Sequence, residues 1–285
     1  MDVNRRDFLK IAGAGVGSLV LPSKKVNAAI PVNVENAHAM LYDATKCVGC
    51  RACQLACKER AGLPFVTDEN GMYEMPTDLD GNTWTLIKLY QDEETYSFVK
   101  KQCMHCIEPA CTSVCPVAAL EKTPEGPVVY HGYKCIGCRY CMTACPFEVP
   151  KYQWDEVNPF IQKCDFCYDL QAEGQQPACS AACPTGALIS GTRAEMLEIA
   201  HQRIADNPGK YYDYVYGEHE VGGTSMLYIS GVSFDKLQYP ELGEQPIPSV
   251  TWPYMKAVPF VFFGMATAMS AIYYVTHRDK EEKED

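Results

Sequence analysis

Cys47-Val48-Gly49-Cys50-Arg51-Ala52-Cys53-Gln54-Leu55-Ala56-Cys57 sets four cysteines in the spacing C-x2-C-x2-C-x3-C, and Cys135, Cys138, Cys141 and Cys145 repeat it. A second quartet, Cys103, Cys106, Cys111 and Cys115, and a fourth, Cys164, Cys167, Cys179 and Cys183, begin with the same C-x2-C step. All sixteen cysteines of the chain belong to these quartets. Proline follows the last cysteine in three of them, as Pro116, Pro146 and Pro184, while Lys58 holds that place in the first. Gly49 and Gly137 lie inside C-x2-C loops, where a side chain would block close approach of the backbone.

The first and third quartets have the spacing by which bacterial ferredoxins hold [4Fe–4S] clusters. Thiolate is a soft, strongly donating ligand suited to iron. Two intervening residues let one tight loop wrap a cluster and aim N–H groups at its sulfurs, and the fourth cysteine of such a run is expected to start a helix and ligate the other cluster of a pair. Sixteen thiolates suffice for four [4Fe–4S] clusters with none left over, which implies a wire of several redox centres. Structural zinc needs four ligands per ion and rarely shows this run. A disulfide scaffold fits an even cysteine count, but that class is small and core-poor, whereas this chain has 285 residues and 47% hydrophobic content. Covalent haem needs histidine after C-x-x-C; Arg51, Gln54, Ile107, Arg139, Met142 and Tyr168 stand there instead.

The two ends carry separate signals. Asn4-Arg5-Arg6-Asp7-Phe8-Leu9-Lys10 precedes an apolar stretch from Ile11 to Leu21, and Val26-Asn27-Ala28 is a small-residue cleavage site that makes Ala29 the expected mature start. Paired arginines followed by Phe-Leu-Lys mark a twin-arginine signal. Export in the folded state suits these cysteines, because thiols threaded unfolded into an oxidising compartment form disulfides. Near the other end, Ala257 to Val275 is nineteen residues without a charge. At about 1.5 Å per residue this spans roughly 28 Å, close to a bilayer core of about 30 Å. Trp252, Tyr254, Tyr273 and Tyr274 flank it as interfacial aromatics do. Pro259 is expected in its first turn, where a missing N–H is tolerated. Arg278, Lys280 and Lys283 follow the span, which favours a cytoplasmic tail and an exported body. Residues 1–28 hold five basic and two acidic side chains, leaving 20 basic and 34 acidic and a net charge of −14. An acidic chain without a basic stripe argues against nucleic acid.

Between the ends, Thr67 to Asn82 is turn-rich, Trp84 to Tyr90 and Val128 to Tyr130 read as strands, and Ser225 to Ile229 reads as another. Thr192-Arg193-Ala194-Glu195 is a capping box opening an amphipathic helix to about Ile204, stopped by Asn207-Pro208-Gly209. Pro246, Pro248 and Pro253 suit an extended tether. Only nineteen residues separate Cys115 from Cys135, so the second and third quartets read as one two-cluster module and the first and fourth as another around it. The expected fold is α+β and loop-rich: two ferredoxin-like modules, one inserted in the other, with one C-terminal transmembrane helix. The expected organisation is a signal at 1–28, an outer module at 29–98 and 153–245, an inner module at 99–152, a linker at 246–256, a transmembrane helix at 257–275 and a charged tail at 276–285.

Four stretches carry a family resemblance: Lys101-Gln102-Cys103-Met104-His105-Cys106, Cys138 to Pro146, Ala205-Asp206-Asn207-Pro208-Gly209-Lys210-Tyr211, and Val215-Tyr216-Gly217-Glu218-His219-Glu220-Val221-Gly222-Gly223-Thr224. The last two lie outside the quartets and are more specific than the cluster motif. By them the chain resembles the four-cluster iron–sulfur subunits of exported, membrane-bound respiratory oxidoreductases. Subunits of hydrogenase-2, of the high-molecular-weight cytochrome complex and of formate dehydrogenase-N are of this kind. The resemblance implies that Cys47, Cys50, Cys53 and Cys183 hold one cluster and Cys57, Cys164, Cys167 and Cys179 a second. It implies that Cys103, Cys106, Cys111 and Cys145 hold a third and Cys115, Cys135, Cys138 and Cys141 a fourth.

His105 lies inside a complete quartet and is expected to fill its loop; His38, His131, His201 and His219 show no metal spacing. No nucleophile–base constellation, phosphate loop or carboxylate pair stands out. The resemblance therefore implies a non-catalytic wire on the periplasmic side of the cytoplasmic membrane. It would be anchored in lipid, between an exported catalytic subunit and a polytopic quinone-reactive membrane subunit. A private twin-arginine signal favours a hydrogenase or multihaem cytochrome partner, while the eleven-residue gap from Cys167 to Cys179 looks more like formate dehydrogenase, one of the molybdopterin oxidoreductases. A self-contained iron–sulfur reductase would need a cluster with an open site, which sixteen of sixteen cysteines argue against.

Overall fold

The computed structural model describes residues 33–64, 77–93 and 95–281, with side chains as far as 277. The expected signal peptide, and most of the turn-rich stretch from Thr67, lie outside these residues.

A three-stranded sheet forms the backbone of the body. Strand β1 (His38–Asp43) lies at its centre, antiparallel to β8 (Leu188–Thr192) and parallel to β9 (Met226–Ile229). Alternation along a strand sends successive side chains to opposite faces. In β1, Ala39 and Leu41 face one way, with Leu227 and Ile229 of β9, against helix α6 (Arg193–Asp206). Met40 and Tyr42, with Met226 and Tyr228, face the other way, into the core that also contains Cys103, Cys164 and Cys179. Both faces are therefore buried, which accounts for the near-continuous apolar character of Ala39 to Tyr42. For that same reason β1 does not announce itself in the sequence by alternation.

Helix α6 begins where the sequence places it. Thr192 Oγ1 accepts from the Glu195 N–H, and Glu195 Oε2 accepts from the Thr192 N–H at 2.9 Å. Met196 and Ala200, four residues apart, meet the sheet. The helix ends at Asp206, with Asn207 as its C-cap.

The expected strand from Trp84 is β2 (Thr85–Gln91), paired antiparallel with β3 (Tyr96–Gln102) in the register Thr85 to Gln102. Asp92 closes this hairpin by accepting from the Thr95 N–H at 2.7 Å. Two shorter hairpins follow: β4 (Leu120–Lys122) with β5 (Val128–Tyr130), and β6 (Lys151–Tyr152) with β7 (Ile161–Gln162).

Helices α1 (Ala52–Ala61), α2 (Ala110–Ser113), α3 (Tyr140–Ala144), α4 (Tyr168–Ala172) and α5 (Ala178–Ala181) all belong to the cysteine segments. The fourth cysteine of a quartet does not start a helix, contrary to expectation. Cys57 sits within α1, and Cys115, Cys145 and Cys183 follow α2, α3 and α5. The reason is local: left-handed Arg51 and Arg139 start α1 and α3 just after the second cysteine, and Pro109 and Pro177 start α2 and α5 just before the third, so in every quartet the third cysteine occupies the helix.

The last helix, α7 (Ile247–Glu281), corrects another expectation. The proline-bearing stretch from 247 to 256 is helical, not an extended tether. Pro248 lies in the first turn, where its missing N–H is tolerated, but Pro253 and Pro259 are interior and each removes one backbone hydrogen bond. Ile247 packs on the main core, but from Val250 onward the apolar side chains are exposed all round, and from Ile247 to His277 the helix is long and apolar enough to cross a membrane. Thr267 and Thr276 return their hydroxyls to the carbonyls of Phe263 and Ile272, both at 2.8 Å, so these polar atoms are satisfied within the helix.

Candidate metal centres

All four C-x2-C loops turn in the same way. The residue ahead of the second cysteine has a positive φ in each: Gly49 at 68°, His105 at 46°, Gly137 at 71° and Phe166 at 64°. In three loops this residue donates its N–H to the sulfur of the first cysteine. Gly49 reaches Cys47 Sγ at 3.4 Å, Gly137 reaches Cys135 Sγ at 3.5 Å and Phe166 reaches Cys164 Sγ at 3.4 Å. Glycine adopts this conformation freely, whereas an L side chain costs about 1–2 kcal/mol. His105 and Phe166 are held in it by each other, with ring centroids 4.4 Å apart. His105 Nδ1 accepts from the Val128 N–H at 2.9 Å, and burial holds its imidazole well below the usual range, so the ring is neutral. This bears on the expectation of a loop-filling role: His105 is buried and its Nδ1 serves the backbone.

The far ends of three quartets also share one turn. The N–H groups of Ala118, Glu148 and Gly186 donate to the carbonyls of Cys115, Cys145 and Cys183, three residues earlier, at 3.3, 3.1 and 3.4 Å. All three donors have positive φ. The proline that follows each cysteine supplies the fixed φ that starts the turn. Cys57, which Lys58 follows, lacks this turn because α1 continues to Ala61.

A longer likeness joins the second and fourth quartets: Pro109-Ala110-Cys111, then Cys115-Pro116 and Ala119-Leu120, against Pro177-Ala178-Cys179, then Cys183-Pro184 and Ala187-Leu188. The hydroxyls of Thr112 and Ser180 each return to the carbonyl of the leading proline at 2.9 Å. This repeat is legible in the sequence and extends the likeness beyond the cysteine spacing.

Among the described residues no two cysteines are joined in a disulfide. Among the described residues, no three cysteine, histidine or carboxylate groups close round a single metal ion. Electrostatics sorts the thiols into neighbourhoods. Burial raises Cys57, and the charges of Cys179 and Cys167 raise it further. Burial raises Cys106, seconded by Cys145, Cys103 and Cys111. Burial lifts Cys141 to about 11, seconded by Cys135, Cys115 and Cys138. Burial raises Cys47, with Cys53 and Cys50 adding to it against hydrogen bonds from Tyr42 and Gly49. Cys183 differs: burial raises it, but hydrogen bonds led by the Leu188 N–H outweigh this and bring its pKa below the usual value.

Positive charge is buried among these thiols. Lys100 is fully buried, its Nζ 2.6 Å from Thr85 Oγ1. Lys163 is buried and donates to the carbonyls of Val128 and Cys164. Lys122 Nζ donates to the His105 carbonyl at 3.1 Å, and burial pushes it down to about 8. Among the described residues no carboxylate pairs with any of the three. An ammonium left uncompensated in the interior is costly, so these lysines fit a site that carries net negative charge. Thiolate-ligated iron–sulfur clusters are such groups. Arg60 of α1 ties the first segment to the fourth through Asp165, at 2.7 Å, and through Asp169. Of the histidines outside the quartets, His131 meets Glu121 at 3.0 Å and His201 meets Glu218 at 3.0 Å, both in part-exposed pairs.

Comparison with known proteins agrees with this chemistry. Residues 94–193 match a 4Fe-4S dicluster domain. A protein of Nitratidesulfovibrio vulgaris is 40% identical over 290 residues, covering 98% of this chain and 78% of that one. The hydrogenase-2 operon protein HybA of Escherichia coli O157:H7 is 38% identical over 283 residues, 85% of each chain. The formate dehydrogenase-O iron-sulfur subunit of Escherichia coli K12 is 34% identical over 260 residues, 86% of each chain. With several [4Fe–4S] clusters as its cofactors, the chain belongs to the iron–sulfur protein family that contains HybA and the formate dehydrogenase iron-sulfur subunits.

Proposed function

We propose that this protein is the non-catalytic electron-transfer subunit of a membrane-bound respiratory oxidoreductase. It carries four [4Fe–4S] clusters between a periplasmic catalytic subunit of the uptake hydrogenase or multihaem cytochrome type and a quinone-reactive integral membrane subunit. The observation that carries this reading is the fourfold C-x2-C turn, which heads four quartets that together contain every cysteine of the chain. Each cluster, when bound, accepts and releases one electron. The chain's own residues do the rest. Cys47, Cys50, Cys53 and Cys183 hold the first cluster, and Cys57, Cys164, Cys167 and Cys179 the second. Cys103, Cys106, Cys111 and Cys145 hold the third, and Cys115, Cys135, Cys138 and Cys141 the fourth. The thiol neighbourhoods around Cys57, Cys106 and Cys141 support these sets. Residues 29–98 and 153–245 form an outer ferredoxin-like module around an inner one at 99–152. The likeness of the second and fourth quartets supports a duplication. Export by the twin-arginine route places the body on the periplasmic side, with α7 as its single anchor.

A formate dehydrogenase or another molybdopterin oxidoreductase is the second reading for the partner. The eleven residues between Cys167 and Cys179 favour it, as does the likeness to the formate dehydrogenase-O subunit.

The test is a pair of lesions in the intact complex. Cys135→Ser should stop electron delivery to quinone while dye-linked activity of the catalytic subunit and reduction of the outer clusters persist. Cys47→Ser should leave all remaining clusters slow to reduce with the natural substrate. These outcomes follow if the outer module faces the catalytic subunit and the inner one the membrane partner; if the Cys135 lesion blocks reduction of the outer clusters, that order is reversed.

A further inference from the structure

Lys100 occupies an unusual place for a lysine. Strand partners share a face, so Thr85, Ile87, Lys100 and Gln102 of the β2–β3 hairpin point the same way. That face is buried: Thr85, Ile87, Lys100 and Gln102 are each 5% exposed or less. The edge of β2 meets α1, where the Ile87 N–H donates to Gln54 Oε1 at 2.9 Å, between Cys53 and Cys57, and the face itself meets β9, where Gln102 Nε2 donates to Met226 Sδ at 3.1 Å in the core that contains Cys164 and Cys179. The ammonium has one hydrogen-bond partner, the neutral hydroxyl of Thr85, and no carboxylate among the described residues. Burial opposes its charge, yet the thiolates of Cys53, Cys179, Cys57 and Cys164 outweigh burial and raise its pKa. These thiols come from both cluster sites of the outer module, so one positive charge is shared between two sites.

We propose that Lys100 is a positioning charge that sets the reduction potentials of the first and second clusters, raising them by stabilising their reduced state. The inference rests on the ligand sets given above. Its physics is simple: an electron taken up adds one negative charge, and a fixed positive charge nearby in a low-dielectric interior favours that product. Lys122 stands by the second quartet, its Nζ on the His105 carbonyl, while Lys163 holds the carbonyls of Val128 and Cys164. The thiols that act most on Lys100 belong to the outer sites, so its effect is expected there.

The experiment is an anaerobic redox titration of the detergent-solubilised complex, followed by electron paramagnetic resonance, on wild type, Lys100→Met and Lys100→Arg. Lys100→Met should keep its full iron content and move at least one outer-cluster potential to a more negative value, with the inner clusters unmoved. Lys100→Arg, which keeps the charge, should titrate close to wild type. A structural role alone would not distinguish the two variants. Unshifted potentials in an iron-replete Lys100→Met complex overturn the proposal, as does an equal shift in Lys100→Arg. If Lys100→Met loses iron, Lys100→Gln takes its place: a negative shift at full iron supports the proposal, and iron loss in both makes Lys100 structural and overturns it. Wild-type complex without four-iron signals would instead overturn the cluster reading itself.

Discussion

His105 and Phe166 meet ring to ring, 4.4 Å between centroids, from the same position of two C-x2-C loops sixty-one residues apart. Each takes a left-handed conformation that glycine occupies in the other two loops. The contact joins the second quartet to the fourth, so the strain of one loop is held by the packing of the other. Phe166 is fully buried. Phe166→Ala should therefore cost about 3–5 kcal/mol, as large-to-small core changes do. Thermal unfolding under anaerobic conditions should show it, together with earlier loss of the visible iron–sulfur absorbance. An unchanged unfolding temperature would remove the stack from the account.

The two glycine loops should differ from each other. A Cβ on Gly49 would lie 2.3 Å from Phe98 Cε1, whereas one on Gly137 would meet only Tyr152 Oη, at 3.3 Å. Both substitutions carry the left-handed penalty of about 1 kcal/mol. Gly49→Ala should add a steric cost and lower iron retention more than Gly137→Ala. Equal retention in the two variants would show that Phe98 yields without cost.

Much of this was legible in the sequence, and the exceptions have physical causes. The quartets, strand β2, the capping box of α6 and strand β9 follow from spacing, β-branched content and an explicit cap. Strand β1 escaped because Ala39 to Tyr42 is buried on both faces and shows no alternation. The left-handed turns at His105 and Phe166 escaped because nothing local favours them; their support is tertiary. The start of α7 escaped because Pro248 and Pro253 read as an extended tether, although a helix accepts proline in its first turn and carries Pro253 and Pro259 further in. Lys100 and Lys163 look like surface residues until the hairpins fold their ammonium groups inward.

Anchoring should reside in α7. Truncation after Gln245 should release a soluble protein that keeps its iron, because the cysteines and the three-stranded sheet all precede that point. The full-length chain should resist alkaline or high-salt washing and need detergent. Release by salt alone would show that α7 is covered by another protein surface and not by lipid.

Export should depend on Arg5 and Arg6. Replacing both with lysine should trap an iron-loaded precursor in the cytoplasm, since the exporter reads the pair and not its charge. Normal processing of the double variant would show a different route.

The account stands on the number of clusters. Iron and acid-labile sulfide, measured per chain on anaerobically isolated complex after subtracting the partner subunits' own content, test it most directly. Four [4Fe–4S] clusters require about sixteen of each. A value near eight in fully loaded protein, or zinc in stoichiometric amount, would contradict it.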